Sequence, residues 1–169
     1  MIRGLILDLD QTLVDTSIAQ DARRRRDWST VYSMIPQFKV YEGVKEALTL
    51  AKERNLKIAI VSSSPRSYVV KVLSYHKIPH DVIVGYHDAS APKPSGEPML
   101  QALRLMALKP CEVISFGDKA CDMISSRSAG VEFVACLWDP QAYADRYQMK
   151  FASRVLNDST LLKHCISSM

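Results

Sequence analysis

At 169 residues with 47% hydrophobic composition, the chain can bury one ordinary core and falls short of two full domains. Its formal net charge is +4, with 22 basic residues mixed among 18 acidic ones, too mild a balance to call for nucleic acid. No apolar run approaches the length of a membrane span and the N-terminus lacks a secretory pattern, so a soluble cytoplasmic protein without a membrane partner is expected.

The first element is an apolar run from Ile2 to Leu7, rich in β-formers, that stops at Asp8; Asp10 follows two residues later, with Thr12 behind it. This pattern predicts a buried strand ending in a site. Two carboxylates at the end of such a strand repel each other and lose hydration, so the fold must supply cations or hydrogen bonds to hold them. The competing reading is that both merely cap the following turn.

Residues 15–41 then form a stretch containing Asp21, the run Arg23 to Arg26, Asp27 and Trp28. Adjacent arginines point around most of a helix, so they cannot all face one ligand. A solvated basic helix is one reading; the other has one or two arginines reaching a second anionic group of a substrate or an acidic partner. Trp28 and Tyr32, four apart, are expected to pack this stretch onto the sheet.

Val44, Ala47, Leu48 and Ala51 recur at the spacing of one helix face, and Lys57 to Val61 reads as a second strand. Ser62, Ser63, Ser64 and Pro65 open a helix carrying Val69, Val72 and Leu73, with Ser64 expected at the N-cap and Pro65 in the first turn. The serines either cap that helix or help its free N–H groups hold a phosphate. Asp81 to Val84 is a third strand. Lys93 follows in APKPSGEP, where two prolines hold it in an extended loop before a helix starting near Glu97 and carrying Met99, Leu103 and Met106.

Val113 to Phe116 is a fourth strand, ending in Gly117 and Asp118. Asp122 comes four residues after Asp118, about one helical turn, so both carboxylates can face one side; capping by Asp118 is the alternative. Val131 to Ala135 is a fifth strand, and the tail from Phe151 is expected to hold one last helix at about Leu161 to Ile166.

Strand alternates with helix throughout, which predicts an α/β fold: a three-layer, Rossmann-like parallel sheet covered on both faces. The polar clusters all follow strands, and in an open parallel sheet those ends share one edge. Asp8, Asp10, Asp118 and Asp122 are thereby brought together, and four acids favour a hard cation such as Mg²⁺ bound through oxygen. Lys93 on the same edge would offset their charge. Cys111, Cys121, Cys136 and Cys165 show no CxxC pairing and read as reduced, mostly buried thiols. Histidines 76, 80, 87 and 164 fall in no metal-ligand spacing.

The order of these motifs, DLDQT after the first strand, Ser62 after the second, Lys93 in KPSGEP and GDKACDMISSRSAG after the fourth, resembles the haloacid dehalogenase superfamily, whose members are mostly phosphatases. The resemblance implies Asp8 as the nucleophile that forms an aspartyl phosphate and Asp10 as the acid and base that serves leaving group and water. It implies Mg²⁺ on the carboxylate of Asp8, the backbone carbonyl of Asp10 and the carboxylate of Asp118, with Asp122 close by or acting through water. Thr12, Ser62, Ser63 and Lys93 would hold the phosphoryl oxygens of a phosphorylated substrate. It also implies one domain over residues 1–169, with residues 15–41 a short insertion in the position where many relatives carry a cap. Phosphotransfer to an acceptor, and a non-catalytic binding protein, are the alternatives. Gln11 departs from the glycine usual at its place, implying either a tighter turn or a side chain that reaches into the pocket.

Overall fold

The computed structural model describes residues 1–169 apart from the side chains of residues 143–145. In chain order its elements are β1 (Gly4–Leu7), β2 (Val14–Asp15), α1 (Gln20–Arg24), α2 (Trp28–Met34), β3 (Lys39–Val40), α3 (Val44–Glu53), β4 (Lys57–Val61) and α4 (Arg66–His76). There follow β5 (Val82–Val84), α5 (Glu97–Met106), β6 (Val113–Gly117), α6 (Ala120–Ser128), β7 (Glu132–Cys136), α7 (Arg146–Met149), β8 (Arg154–Leu156) and α8 (Leu161–Ser167).

The main sheet runs β5-β4-β1-β6-β7-β8 and every pairing in it is parallel. β1 lies at its centre because all four of its residues are apolar or glycine and all are buried, as a strand covered on both faces requires. Alternation divides those faces. Leu5, Leu7, Ile58 and Ile60 pack with the inner stripes of α3, α4 and α8, including Val44, Leu48, Val69, Val72, Leu162 and Ile166. Ile6, Ala59 and Val61 pack on the other side against Met99, Leu103 and Met106 of α5. The three expected layers follow from this.

From β1 the chain steps outward to β4 and β5, then returns past β1 to build β6, β7 and β8 on its other flank. Strand order therefore reverses at β1, and the crevice at a reversal lies outside the carboxyl ends of the strands. Asp8 stands there.

Several boundaries and elements differ from the expectation. β1 begins at Gly4 rather than Ile2, and β7 runs one residue later than read. A sixth strand, β8, pairs with the edge of β7; two of its three residues are exposed, so it carries no apolar signal. β2 and β3 form an antiparallel ribbon, Val14 opposite Val40 and Asp15 opposite Lys39, that ties together the two ends of the stretch holding α1 and α2. Trp28 packs its ring on Tyr68 of α4 at 5.7 Å between centroids, and with Tyr32 it lies against the core that holds Leu5, Leu7, Ile58 and Ile60 of the sheet. Cys136 and Cys165 are buried, Cys121 is half-buried and Cys111 is exposed, so burial of the thiols extends to two of the four. Among the described residues no helix is long and apolar enough to cross a membrane.

Candidate active site

The first wall of the site is the loop that follows β1. The N–H of Asp8 donates to the carbonyl of Phe116 at 2.9 Å, extending the ladder one residue past the strand. The chain then folds back tightly: the N–H groups of Leu13 and Val14 both donate to the carbonyl of Leu9, and that of Gln11 to Val14. Gln11 takes φ +62° to make this turn, a left-handed conformation that glycine adopts freely and glutamine does not. Its side chain does not enter the pocket. It is 2% exposed, and with its carboxamide oriented to satisfy the hydrogen bonding around it, the oxygen accepts from the backbone N–H groups of Thr16 and Ser17 at 3.2 and 3.1 Å.

Lys93 reaches this edge from the long loop between β5 and α5. Its side chain is 2% exposed, and its ammonium donates to Asp8 Oδ1 at 2.8 Å, Asp122 Oδ1 at 2.6 Å and the carbonyl of Val61 at 2.7 Å. All three of its protons are used, so a buried charge is fully paired.

β6 and α6 supply the opposite wall. A side chain at Gly117 would put its Cβ 2.6 Å from Asp122 Cβ, so the glycine is what lets Asp122 lie over the strand end. The capping contact at α6 belongs to Asp122, whose Oδ2 accepts from the Lys119 N–H at 3.1 Å, rather than to Asp118. Asp118 is 1% exposed. Its Oδ1 accepts from the hydroxyl of Thr12 at 3.3 Å, while its Oδ2 is buried without a hydrogen-bond partner, the Lys119 ammonium standing 3.4 Å away. Thr12, fully buried, thus stands behind the pocket wall as a support for Asp118.

Asp8, Asp118 and Asp122 each offer an oxygen within 4.8 Å of the other two. Burial pushes the Asp8 carboxyl up to about 6, with the charge of Asp122 adding to the rise and that of Lys93 opposing it. Burial likewise raises Asp118 well above the ordinary carboxylate range. Three buried carboxylates, one with an oxygen that accepts no hydrogen bond, are a donor set that fits a hard divalent cation, whose charge would reverse both shifts. The carboxylate of Asp10 is not part of this cluster.

Asp10 is instead turned toward α4 and the stretch between β2 and β3. Its Oδ1 accepts from Tyr68 OH at 2.7 Å and Thr16 Oγ1 at 2.7 Å and meets an Arg23 guanidinium nitrogen at 2.8 Å. Its Oδ2 accepts from Ser64 Oγ at 3.2 Å. Burial, and then the nearby charge of Asp10, push the Tyr68 phenol far up, so it stays a donor. Two expectations are corrected here. Ser64 does not cap α4: Pro65 occupies the N-cap position without a side-chain cap, and the Ser64 hydroxyl is spent on Asp10. Arg23 is not part of a solvated face, being 16% exposed at the side chain, because a buried carboxylate lies within its reach. Arg24, Arg25 and Arg26 are exposed.

The pocket over Asp8 is small, about 200 Å³, and its wall includes Asp10, Ser62, Ser63, Asp122, Lys119 and Cys121. Ser62 is held by the Ser64 N–H, which donates to its Oγ at 3.1 Å; Ser63 is exposed. Burial pushes the Cys121 thiol up to about 12, which leaves it inert as a nucleophile at neutral pH. The sequence gives no sign of the roles of Lys119, Thr16 and Tyr68, nor of which arginine in the run Arg23 to Arg26 turns inward to meet Asp10. Lys119 lies within the GDKACD motif, between its two aspartates, whereas Tyr68 lies on the apolar stripe of a helix and shows no polar signature.

The family described as haloacid dehalogenase-like hydrolase matches residues 18–136, a stretch that begins past Asp10 and includes Ser62, Lys93, Asp118 and Asp122. A protein of Caldanaerobacter subterraneus subsp. tengcongensis, named as a candidate pyrophosphatase PpaX, is 38% identical over 102 residues, 59% of this chain and 46% of that protein. The pyrophosphatase PpaX of Bacillus cereus is 31% identical over 122 residues, 70% of this chain and 56% of that protein. The chain thus spans about half the length of these curated relatives. Among solved structures, CbbY from Rhodobacter sphaeroides in complex with phosphate superposes with a TM-score of 0.81 at 16% identity, covering 96% of each chain, a likeness of fold.

Proposed function

Because this chain belongs to the haloacid dehalogenase-like hydrolase family, we propose that it is a Mg²⁺-dependent phosphatase that hydrolyses a phosphorylated substrate through a phosphoryl group carried on Asp8. The observation that carries the proposal is the buried cluster in which Lys93 joins Asp8 to Asp122 while one oxygen of Asp118 has no hydrogen bond and meets only the charge of Lys119 at 3.4 Å. A carboxylate attacks an anionic phosphoryl group only where fixed positive charge suppresses their repulsion. Lys93 provides one such charge, and Lys119, half exposed in the pocket wall, provides a second.

In this reading a carboxylate oxygen of Asp8 attacks phosphorus and the bond to the leaving oxygen breaks. Asp10 protonates that oxygen, then takes a proton from the water that hydrolyses the aspartyl phosphate and releases inorganic phosphate. Ser62 and Ser63, at the mouth beside Asp8, donate to phosphoryl oxygens. The carboxylates of Asp8, Asp118 and Asp122 would hold Mg²⁺, which supplies charge neutralisation at the transferred phosphoryl group. Residues 15–41 stand as an insertion in the place of a cap, within a single domain. The names of the curated relatives favour a phosphoanhydride among the phosphorylated substrates to be tried.

Hydrolysis of p-nitrophenyl phosphate and of inorganic pyrophosphate, with and without Mg²⁺, tests the proposal. Turnover should require the ion, release phosphate without an acceptor, and fall at least about 10³-fold in Asp8→Asn. Parent-level turnover in that variant would remove the nucleophile.

A further inference from the structure

Beside the pocket over Asp8 lies a second cavity of about 470 Å³, and Arg23, Ser63 and Ser64 stand in the wall of both. Sites for small organic ligands run from about 300 to 1,000 Å³. The inner pocket falls below that range and suits a phosphoryl group; the outer falls within it.

The outer cavity is basic and aromatic. Arg23, Arg24, Arg26 and His87 line it, and its lining contains no acidic side chain. Asp10 meets the charge of Arg23 at 2.8 Å, and the exposed Asp21 meets that of Arg24 at 3.7 Å. Among the described residues no carboxylate forms an ion pair with Arg26. Trp28 and Tyr86 also line it; Tyr86 is 42% exposed. The arginines and Trp28 come from the insertion, Ser63 and Ser64 from the connection between β4 and α4, and Tyr86 from the loop after β5, so three separate segments converge on this space. Guanidinium groups bind phosphate in paired hydrogen bonds, and aromatic and arginine faces stack on planar heterocycles.

We propose that this cavity is a leaving-group subsite for a planar heterocycle bearing its own phosphate, a nucleoside monophosphate in chemical class. The preferred substrate then carries the transferred phosphoryl group on such a nucleotide. The bond between that phosphorus and the nucleotide oxygen breaks as the bond to Asp8 forms, the nucleotide leaves with the proton of Asp10, and water releases the phosphoryl group as inorganic phosphate. The inference rests on the phosphatase reading for naming the occupant as the leaving group; occupancy itself is independent of turnover.

Titration calorimetry of the full chain in Mg²⁺ with adenosine 5′-monophosphate, adenosine, ribose 5-phosphate and inorganic phosphate tests it. The nucleotide should bind at least about tenfold more tightly than each of the other three, and Arg24→Ala/Arg26→Ala should weaken it by about tenfold or more. Ribose 5-phosphate or inorganic phosphate binding as tightly as the nucleotide overturns the subsite, as does undiminished nucleotide binding in the double variant. Both arginines are exposed, so their removal leaves the core intact. Nucleotide binding in a chain that hydrolyses no phosphate ester strikes the phosphatase reading alone, and aryl phosphate hydrolysis without nucleotide preference strikes the subsite alone.

Discussion

Gln11 holds the loop just after the two leading aspartates in a conformation that costs a non-glycine residue about 1–2 kcal/mol. Its φ is +62°, and what offsets the cost is the pair of contacts from its carboxamide to the N–H groups of Thr16 and Ser17. Gln11→Ala keeps the strained backbone and loses those contacts, whereas Gln11→Gly loses them and removes the strain. Urea unfolding should therefore find the alanine variant less stable than the glycine variant by about 1 kcal/mol; the opposite order would show that the turn carries no strain. Lys93 is the other decisive residue at this scale. Replacing it by methionine leaves Asp8 and Asp122 buried without their shared cation, and the expected loss in metal-free unfolding is about 3–5 kcal/mol.

At the scale of elements, the proposed insertion, residues 15–41, leaves and returns through the β2–β3 ribbon. α2 is capped by Asp27, whose carboxylate accepts from the N–H and hydroxyl of Thr30 at 3.2 and 2.6 Å. Its Trp28 lies on Tyr68 of α4, which in turn donates to Asp10. Through Arg23 and Tyr68 the insertion is thus connected to the proposed acid and base from two sides. Trp28→Ala should loosen that docking, since removing a partly buried indole costs up to about 3 kcal/mol. Trypsin should then cleave within the Arg23 to Arg26 run several-fold faster than in the parent, because local opening governs cleavage there. An unchanged cleavage rate would mean that the ribbon alone holds the insertion in place.

For the whole molecule, the acidic cluster makes stability depend on pH and on the metal. With Asp8 raised to about 6, the folded chain keeps a proton that the unfolded chain loses at about pH 4, so stability falls as pH rises between those values. Asp118 shifts in the same direction. Lys93, raised, stays charged throughout that window and adds no slope, while His76, lowered chiefly by burial, contributes with the opposite sign. Metal-free melting of the parent against Asp8→Asn isolates the Asp8 part: the variant should gain relative stability as pH rises from about 4 to about 7. Mg²⁺ at about 100 times its Kd should add about 2.7 kcal/mol to the parent, a rise of roughly 5–10 °C, and much less to the variant. A parent indifferent to Mg²⁺ would empty the proposed metal site.

Much of this was written into the sequence. The parallel sheet and the convergence of Asp8, Lys93, Asp118 and Asp122 followed from apolar runs ending in polar residues, because period and polarity are local properties that tertiary structure seldom overrides in a buried strand. β8 and the β2–β3 ribbon were not legible, being edge elements of two or three residues whose pairing is decided by a partner distant in the chain. Nor was the environment of Asp10. Which of four consecutive arginines turns inward, that a tyrosine on an apolar helix face presents its hydroxyl to a carboxylate, and that Ser64 leaves a helix end for the same oxygen pair are outcomes of packing between segments. A buried charge selects its partners from whatever three dimensions bring near, and that choice leaves no periodic trace along the chain.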